Sequence, residues 1–235
     1  MPVVVFLLLS CVLGFLIGGI PFGFLVGKFV VKDDIRSYGS GNIGATNVGR
    51  ILGWYWGALV LILDAIKGLI PTVAAAWLSG FLISPEWWTH MAVAAGMSSV
   101  IGHMYPVYLQ LRGGKGVATA LGVVMVLAPQ ALGMALVVFV VVMVLTHQVA
   151  LGSILASSAF CAAYLLLNWD HAWNTSSASQ TAFAVCVPLL IIWRHRSNIR
   201  RMLAGTEPRV TEHTESADSE DGLRVLHESA EADEV

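Results

Sequence analysis

Hydrophobic and polar positions alternate along the chain in long blocks. Residues 3–27, 53–83, 90–109, 117–146, 149–167 and 181–193 are apolar runs. A spanning helix needs about 20 such residues. Inside hydrocarbon, only helices and closed barrels satisfy every backbone polar group. The blocks therefore predict membrane helices separated by polar segments at 31–52, 110–116, 168–180 and beyond 194. Glycines recur in the first run, as the pair Gly14 and Gly18 and the series Gly19, Gly23 and Gly27. Small residues at this spacing let another helix approach closely, which is a packing signal.

The stretch 117–146 decides the topology. Its 30 residues are long for one helix and short for two full spans. Two short helices turning near Ala128-Pro129 give seven crossings. Segments 28–50, 110–116 and 194–201 then share one side, with Lys28, Lys32, Arg36, Arg50, Arg112, Lys115 and the four arginines from 194 to 201. The opposite loops, 84–89 and 168–179, carry no Lys or Arg. Positive charge belongs on the cytoplasmic side. A single crossing would put the arginine cluster outside. The expected fold is thus an all-α integral membrane protein with seven transmembrane helices, N-terminus outside and C-terminus in the cytoplasm. Two short helices need burial against neighbours or local bilayer thinning.

Composition sharpens this picture. The chain is 57% hydrophobic and 12% charged, with a mean hydropathy of +0.75, against about 25% charged residues in soluble domains. The net charge of −2 averages two unlike regions. Residues 1–205 form a basic membrane domain. Residues 206–235 carry ten acids against Arg209 and Arg224, an acidic tail expected to be disordered. Cys11, Cys161 and Cys186 lie in apolar runs and read as small buried hydrophobes. The start MPVVVFLLLSC lacks a basic region and its apolar run continues past Cys11, so it reads as the first span rather than a cleaved leader.

Two motifs mislead. Gly39-Ser-Gly41-Asn-Ile-Gly44 matches G-x-G-x-x-G, with Asp64 at the spacing of a ribose acid. A dinucleotide fold needs a strand before that motif and a βαβ unit around it. Here membrane helices flank it. The glycines still suggest a loop whose N–H groups can turn inward on an anion. His213-Thr-Glu-Ser-Ala-Asp218 matches the H-x4-D pattern of CoA-dependent acyltransferases, but lies in the acidic tail.

Three polar stretches carry the candidate chemistry: Ser40–Asn47 followed by Arg50; Gly102–Pro106 with Leu111–Thr119; and Trp193–Arg201. Each joins fixed positive charge to small hydrogen-bonding residues. Arginine binds phosphate bidentately and lysine as a point charge. Gly113-Gly114-Lys115-Gly116 opens a helix, whose N-terminus favours anions. Its spacing is not that of a Walker loop. Together the stretches predict a pocket for more than one phosphate group. His195 and Asn198 share a helix face at i, i+3. Asp64 and Lys67, also at i, i+3 and within a span, read as an ion pair near the site. No metal constellation is visible and no cofactor is expected. Trp54, Trp56, Trp87, Trp88, Trp169, Trp173 and Trp193 sit near span ends, as an aromatic belt does.

With these stretches placed, residues 1–207 resemble the bacterial acyl-phosphate:glycerol-3-phosphate acyltransferase family. The matching segments are SGNIGATNVGR at 40–50, LDAIKG at 63–68, GHMYPVYLQLRGGKGVAT at 102–119 and RHRSNIRRMLAGTE at 194–207. The resemblance implies a seven-span fold in the bacterial inner membrane with the site at the cytoplasmic face. It implies acyl transfer from acyl phosphate to the 1-hydroxyl of glycerol 3-phosphate, giving lysophosphatidic acid and inorganic phosphate. Ser40, Gly41, Asn42, Thr46, Asn47 and Arg50 are then expected to bind glycerol 3-phosphate or orient their loop. Lys115, with the N–H groups of Gly113, Gly114 and Gly116, is expected to hold the acyl phosphate. His103 and Thr119 are assigned to substrate binding. His195 and Asn198 are expected to orient the attacking hydroxyl, with His195 a base only second, because Arg194 and Arg196 disfavour its protonation. In that family a substrate phosphate is thought to take the proton. The residues alone leave three rivals: a transporter of a phosphorylated solute, a lipid-headgroup binding protein, and acyl transfer from acyl-CoA.

Overall fold

The structure is a computed structural model and describes residues 1–210; the His213–Asp218 motif and most of the acidic tail lie outside the described residues. Among those residues the chain is helical, with ten α-helices and three short 3-10 turns. The long helices are α1 (Val3–Gly18), α4 (Trp54–Leu82), α5 (Trp88–Met104), α7 (Pro129–Thr146), α8 (Val149–Leu167) and α9 (Ala178–Arg194). Shorter ones are α2 (Phe22–Val30), α3 (Ala45–Leu52), α6 (Val117–Leu127) and α10 (Arg196–Leu203). Four helical segments are long and apolar enough to cross a membrane: Val3–Val30, Trp54–Leu82, Pro129–Thr146 and Val149–Leu167. Their outward faces are apolar: Leu8, Leu9, Val12 and Leu13 on α1 and Val137, Val140, Val141 and Val144 on α7 are exposed, which suits hydrocarbon and not water.

The first apolar run is not one continuous helix. It breaks between α1 and α2 at Ile20-Pro21, because proline has no N–H to continue the ladder. The predicted close approach is there. A Cβ on Gly14 would overlap the Ala95 carbonyl of α5, and one on Gly18 the Ser99 carbonyl. Gly23 packs in the same way against the carbonyl of Ile43, in the 40–47 loop. This glycine edge seats α1 on α5 and docks α2 on that loop.

The stretch 117–146 does break at Ala128-Pro129, with Ala128 at φ −151° and ψ 63°. The halves are unequal, however. α7 has 18 residues and spans a bilayer by itself. α6 has 11 residues, about 16 Å of helix. It is buried: Thr119, Ala120, Gly122, Val123, Val124 and Leu127 are all inside. Gly122 sits against the Ala65 carbonyl of α4, and Gly68 of α4 against the Thr119 carbonyl. The side chain of Gln180 on α9 caps the free Leu127 carbonyl at the end of α6. A helix too short to span hydrocarbon while exposed to lipid is thus wrapped by protein, which satisfies its ends. The main apolar core lies around it, with Val100, Met104, Val123, Ala131, Phe160, Tyr164, Phe183, Val187 and Ile191.

Candidate active site

The three polar stretches meet at one end of the bundle. They enclose a cavity of about 150 Å³. Ser40, Asn42, Thr46, Asn47, Arg50, His103, Lys115, Gly116, His195 and Asn198 line it, as do Asp64, Ser153, Arg201 and Glu207. Gly41, Gly113, Gly114 and Thr119 are not in its wall.

The first stretch braces itself. Asn47, 2% exposed, accepts from the Ser40 N–H at 2.7 Å and from Ser40 Oγ at 3.0 Å. Its amide donates to the carbonyls of Ile35 and Tyr38. Asn42 accepts from the Gly44 N–H at 2.8 Å. Gly41 turns the chain at φ +68°, where a side chain is strained, and gives its N–H to Tyr38. The expected inward nest is therefore not built: the N–H groups of Ser40, Gly41 and Gly44 are spent within the loop. The anion-facing feature is instead a helix that the sequence pattern did not reveal, α3, whose first residues Ala45 and Thr46 face the cavity. Asn47 and Asn42 orient the loop; Ser40, Thr46 and Arg50 remain on the wall.

The second stretch is held from outside. Arg194 donates from Nε and Nη2 to the Gly114 carbonyl at 3.1 and 2.9 Å, and from Nη2 to the Gly113 carbonyl at 2.8 Å. Its guanidinium also lies over the Tyr105 ring, 5.3 Å from the centroid. Gly113 N–H donates to the Met104 carbonyl and Gly114 N–H to the His103 carbonyl. These two N–H groups, expected to hold a phosphate, are committed to the backbone. Gly116, at φ +84°, opens α6 and lines the cavity beside Lys115. Thr119 is buried one turn further on, with its backbone against Gly68 and its hydroxyl without a partner among the described residues; it packs α6 on α4 and does not reach the site.

Burial lowers the Lys115 ammonium to about 8; Arg201, Arg50 and Arg194 add to this, and Glu207 opposes it. At neutral pH it stays mostly charged. His195, 2% exposed, donates from Nδ1 to the Ile191 carbonyl at 2.8 Å, which leaves Nε2 as the acceptor. Burial first, then Lys115 and Arg194, hold it down to about 4. Lys115 takes the part expected of Arg196, whose guanidinium stacks on Trp193. Asn198 donates to Glu207 Oε1 at 2.6 Å, leaving its carbonyl oxygen buried and without a partner among the described residues. Glu207 Oε2 accepts from Arg201 Nε at 2.8 Å. Glu207 closes the 194–207 segment but was given no role, because it sits where the acidic tail begins. Ser153 was missed because it lies inside an apolar run.

Below this cavity lies an apolar groove of about 230 Å³. It runs between α6, α7, α8 and α9 past Leu121, Val124, Leu132, Phe160, Val187 and Pro188. Leu61, Val117, Ala118, Phe139 and Ser153 line both spaces. A polar, cationic chamber thus opens directly onto a groove for hydrocarbon.

The chain is similar to known proteins in sequence and fold. A family model described as glycerol-3-phosphate acyltransferase matches residues 8–205. A glycerol-3-phosphate acyltransferase of Thermoanaerobacter pseudethanolicus is 42% identical over 207 residues, 88% of this chain and 97% of the relative. One of Myxococcus xanthus is 45% identical over 197 residues, 84% of this chain and 96% of the relative. Among solved structures, PlsY (YgiH), an integral membrane glycerol 3-phosphate acyltransferase, is similar in its glycerol 3-phosphate form, with a TM-score of 0.74, 37% identity and coverage of 86% of this chain and 94% of that one. Its lysophosphatidic acid form gives a TM-score of 0.71 at 36% identity. With the match running through all three cavity-lining stretches, the chain belongs to the glycerol-3-phosphate acyltransferase family of integral membrane enzymes.

Proposed function

We propose that this enzyme transfers a fatty acyl group from acyl phosphate to the 1-hydroxyl of sn-glycerol 3-phosphate, releasing lysophosphatidic acid and inorganic phosphate. The observation that carries this reading is the junction of the two spaces. Arg50, Lys115 and the α3 N-terminus supply positive potential where two phosphate groups must sit. The groove beyond Val117 and Phe139 suits an alkyl chain.

In this reading Ser40, Thr46 and Arg50 bind glycerol 3-phosphate, while Asn42, Asn47 and Gly41 shape their loop. Lys115 and the N-terminal turn of α6 hold the acyl phosphate. The hydroxyl oxygen bonds to the acyl carbon as the carbon–oxygen bond to phosphate breaks, and Lys115 stabilises the charge growing on the leaving phosphate. His195 Nε2 and the free oxygen of Asn198 orient the hydroxyl. A histidine held down to about 4 is a weak base at neutral pH, so the proton passes to a substrate phosphate and His195 acts by positioning.

The chain crosses the bacterial inner membrane seven times, N-terminus outside. The crossings are Val3–Val30, then α4, α5, α6, α7, α8 and α9. Lys28, Arg50, Lys115 and the arginines of 194–201 then lie in the cytoplasm, as the distribution of basic residues requires. Residues 1–205 form the membrane domain, and the acidic segment follows, its first residues supplying Glu207 to the cavity wall.

The test uses purified protein given glycerol 3-phosphate with palmitoyl phosphate or palmitoyl-CoA, with products followed by mass spectrometry. Lysophosphatidic acid and phosphate from the acyl phosphate alone support the proposal. Product from the CoA ester at a comparable rate, or none from acyl phosphate, overturns it.

A further inference from the structure

Three buried ionisable side chains sit at the back of the cavity, Asp64 and His103 in its wall and Lys67 beyond them. Lys67 Nζ lies 2.7 Å from Asp64 Oδ1 and donates to the Ile20 carbonyl at 2.7 Å, the carbonyl at the α1–α2 break. His103 Nδ1 lies 3.7 Å from the same Asp64 oxygen, too far for a hydrogen bond. Asp64 is 2% exposed and His103 3%, and both line the cavity. His103 makes no side-chain hydrogen bond among the described residues, and its Nδ1 is fully enclosed. Gly114 lies so close to the imidazole that a Cβ there would overlap Nε2, so the ring cannot turn away. Buried polar groups are nearly always hydrogen-bonded, and an exception calls for a reason.

The cavity offers substrates mainly donors: Arg50, Lys115 and Thr46. Its carboxylates are Asp64 and Glu207. Both Glu207 oxygens are used, on Asn198 and Arg201. Asp64 is left as the carboxylate with acceptor capacity to spare. Its ligand must bring a hydrogen-bond donor. An ionised acyl phosphate has none. Glycerol 3-phosphate has two, and the 1-hydroxyl is committed to attack beside Lys115.

We infer that Asp64 and His103 form the subsite that recognises the 2-hydroxyl of glycerol 3-phosphate, the hydroxyl donating to the Asp64 carboxylate and accepting a ring N–H from His103. The subsite requires the pair to part far enough to admit that oxygen, because Asp64 Oδ1 and His103 Nδ1 are both enclosed. The subsite would make the enzyme selective for a vicinal diol over a simple alcohol phosphate. It rests on the proposed reading in one respect, that the 1-hydroxyl is the attacking group.

The test compares glycerol 3-phosphate with propane-1,3-diol monophosphate, which lacks the 2-hydroxyl. Dissociation constants come from calorimetry on the full chain in detergent without acyl donor, and kcat/KM from turnover with palmitoyl phosphate. The wild-type protein is expected to favour glycerol 3-phosphate by on the order of 100-fold in both. In Asp64→Asn and His103→Phe the preference is expected to fall to within about threefold, because variant and analogue remove the same interaction. Equal binding of the two ligands by the wild type overturns the subsite without any variant. So does a His103→Phe protein that elutes as a single folded species and keeps the full preference. Discrimination in binding without turnover upholds the subsite and overturns the acyl phosphate reading, so the two fail separately.

Discussion

The loops Ser40–Asn47 and Gly113–Gly116 draw on the same small residue types, and they are held by opposite means. The first is braced from within. Asn47, seven residues on, fixes Ser40 through its backbone and hydroxyl, and Asn42 closes a turn on Gly44. The second contains no side chain that could brace it except Lys115, which faces the cavity. Its order comes from Arg194, eighty residues away, and from the carbonyls of His103 and Met104. A loop that must expose its one functional side chain has to borrow its rigidity. Arginine suits that task because its planar fork spans two neighbouring carbonyls at once.

The strongest test of this contrast is Lys115→Ala, which removes the charge and leaves the clamp. We expect kcat/KM to fall by on the order of 1000-fold, as when one preorganised transition-state donor is lost. The protein should elute and melt like the wild type, because Lys115 makes no structural bond among those described. A loss of tenfold or less would mean that the leaving phosphate is stabilised elsewhere.

Next comes Arg194→Lys. A lysine retains the charge but cannot fork over Gly113 and Gly114. The three charge-assisted bonds to the two carbonyls cannot all be kept, and Lys115 loses its fixed position. A drop in kcat/KM on the order of 100-fold is expected, dominated by the acyl phosphate. If charge alone mattered, the variant would retain nearly full activity. Asn47→Ala is the counterpart in the other loop. It frees the Ser40 hydroxyl and removes the amide that ties the carbonyls of Ile35 and Tyr38 to the loop, so a loss of about 30-fold is expected, carried by the KM for glycerol 3-phosphate. Steady-state kinetics with each substrate varied would separate the two. Equal effects on both substrates from both variants would erase the distinction between the loops.

The contrast also explains what the sequence made legible. The apolar blocks located the long helices because hydrocarbon solvation leaves a simple signal; α8 was placed at 149–167, where it lies. The three stretches announced a phosphate site through residue type and charge. The bracing was not legible. Nothing in the chain says that the carbonyls of Gly113 and Gly114 will meet Arg194, since that contact depends on how α9 ends against α5. The inward nest and the free glycine N–H groups were overread for the same reason: glycine content shows where a backbone can turn, not where its donors point. α3 was hidden because eight residues give too short a pattern. The unequal split of 117–146 was hidden because burial by neighbours, and not length, decides how short a helix can be inside a membrane.

The smallest expected effect is the pH profile, and it sharpens the comparison at Lys115. Burial lowers this ammonium to about 8, so the free enzyme loses the charge as pH rises through that value. The form that binds a phosphate is the protonated one. kcat/KM should therefore be flat from about pH 7, where the substrate phosphates are fully ionised, to 7.5 and fall above 8, by about tenfold at pH 9. Bound phosphate favours the ammonium, so the same limb in kcat should lie at higher pH. Lys115→Arg should remove the limb, because a guanidinium stays charged throughout this range. His195, held down to about 4, is already neutral across the window and should contribute no limb of its own above pH 5. A limb near pH 6.5 that disappears in His195→Gln would assign the base to His195 and move the proton from the substrate phosphate to the protein.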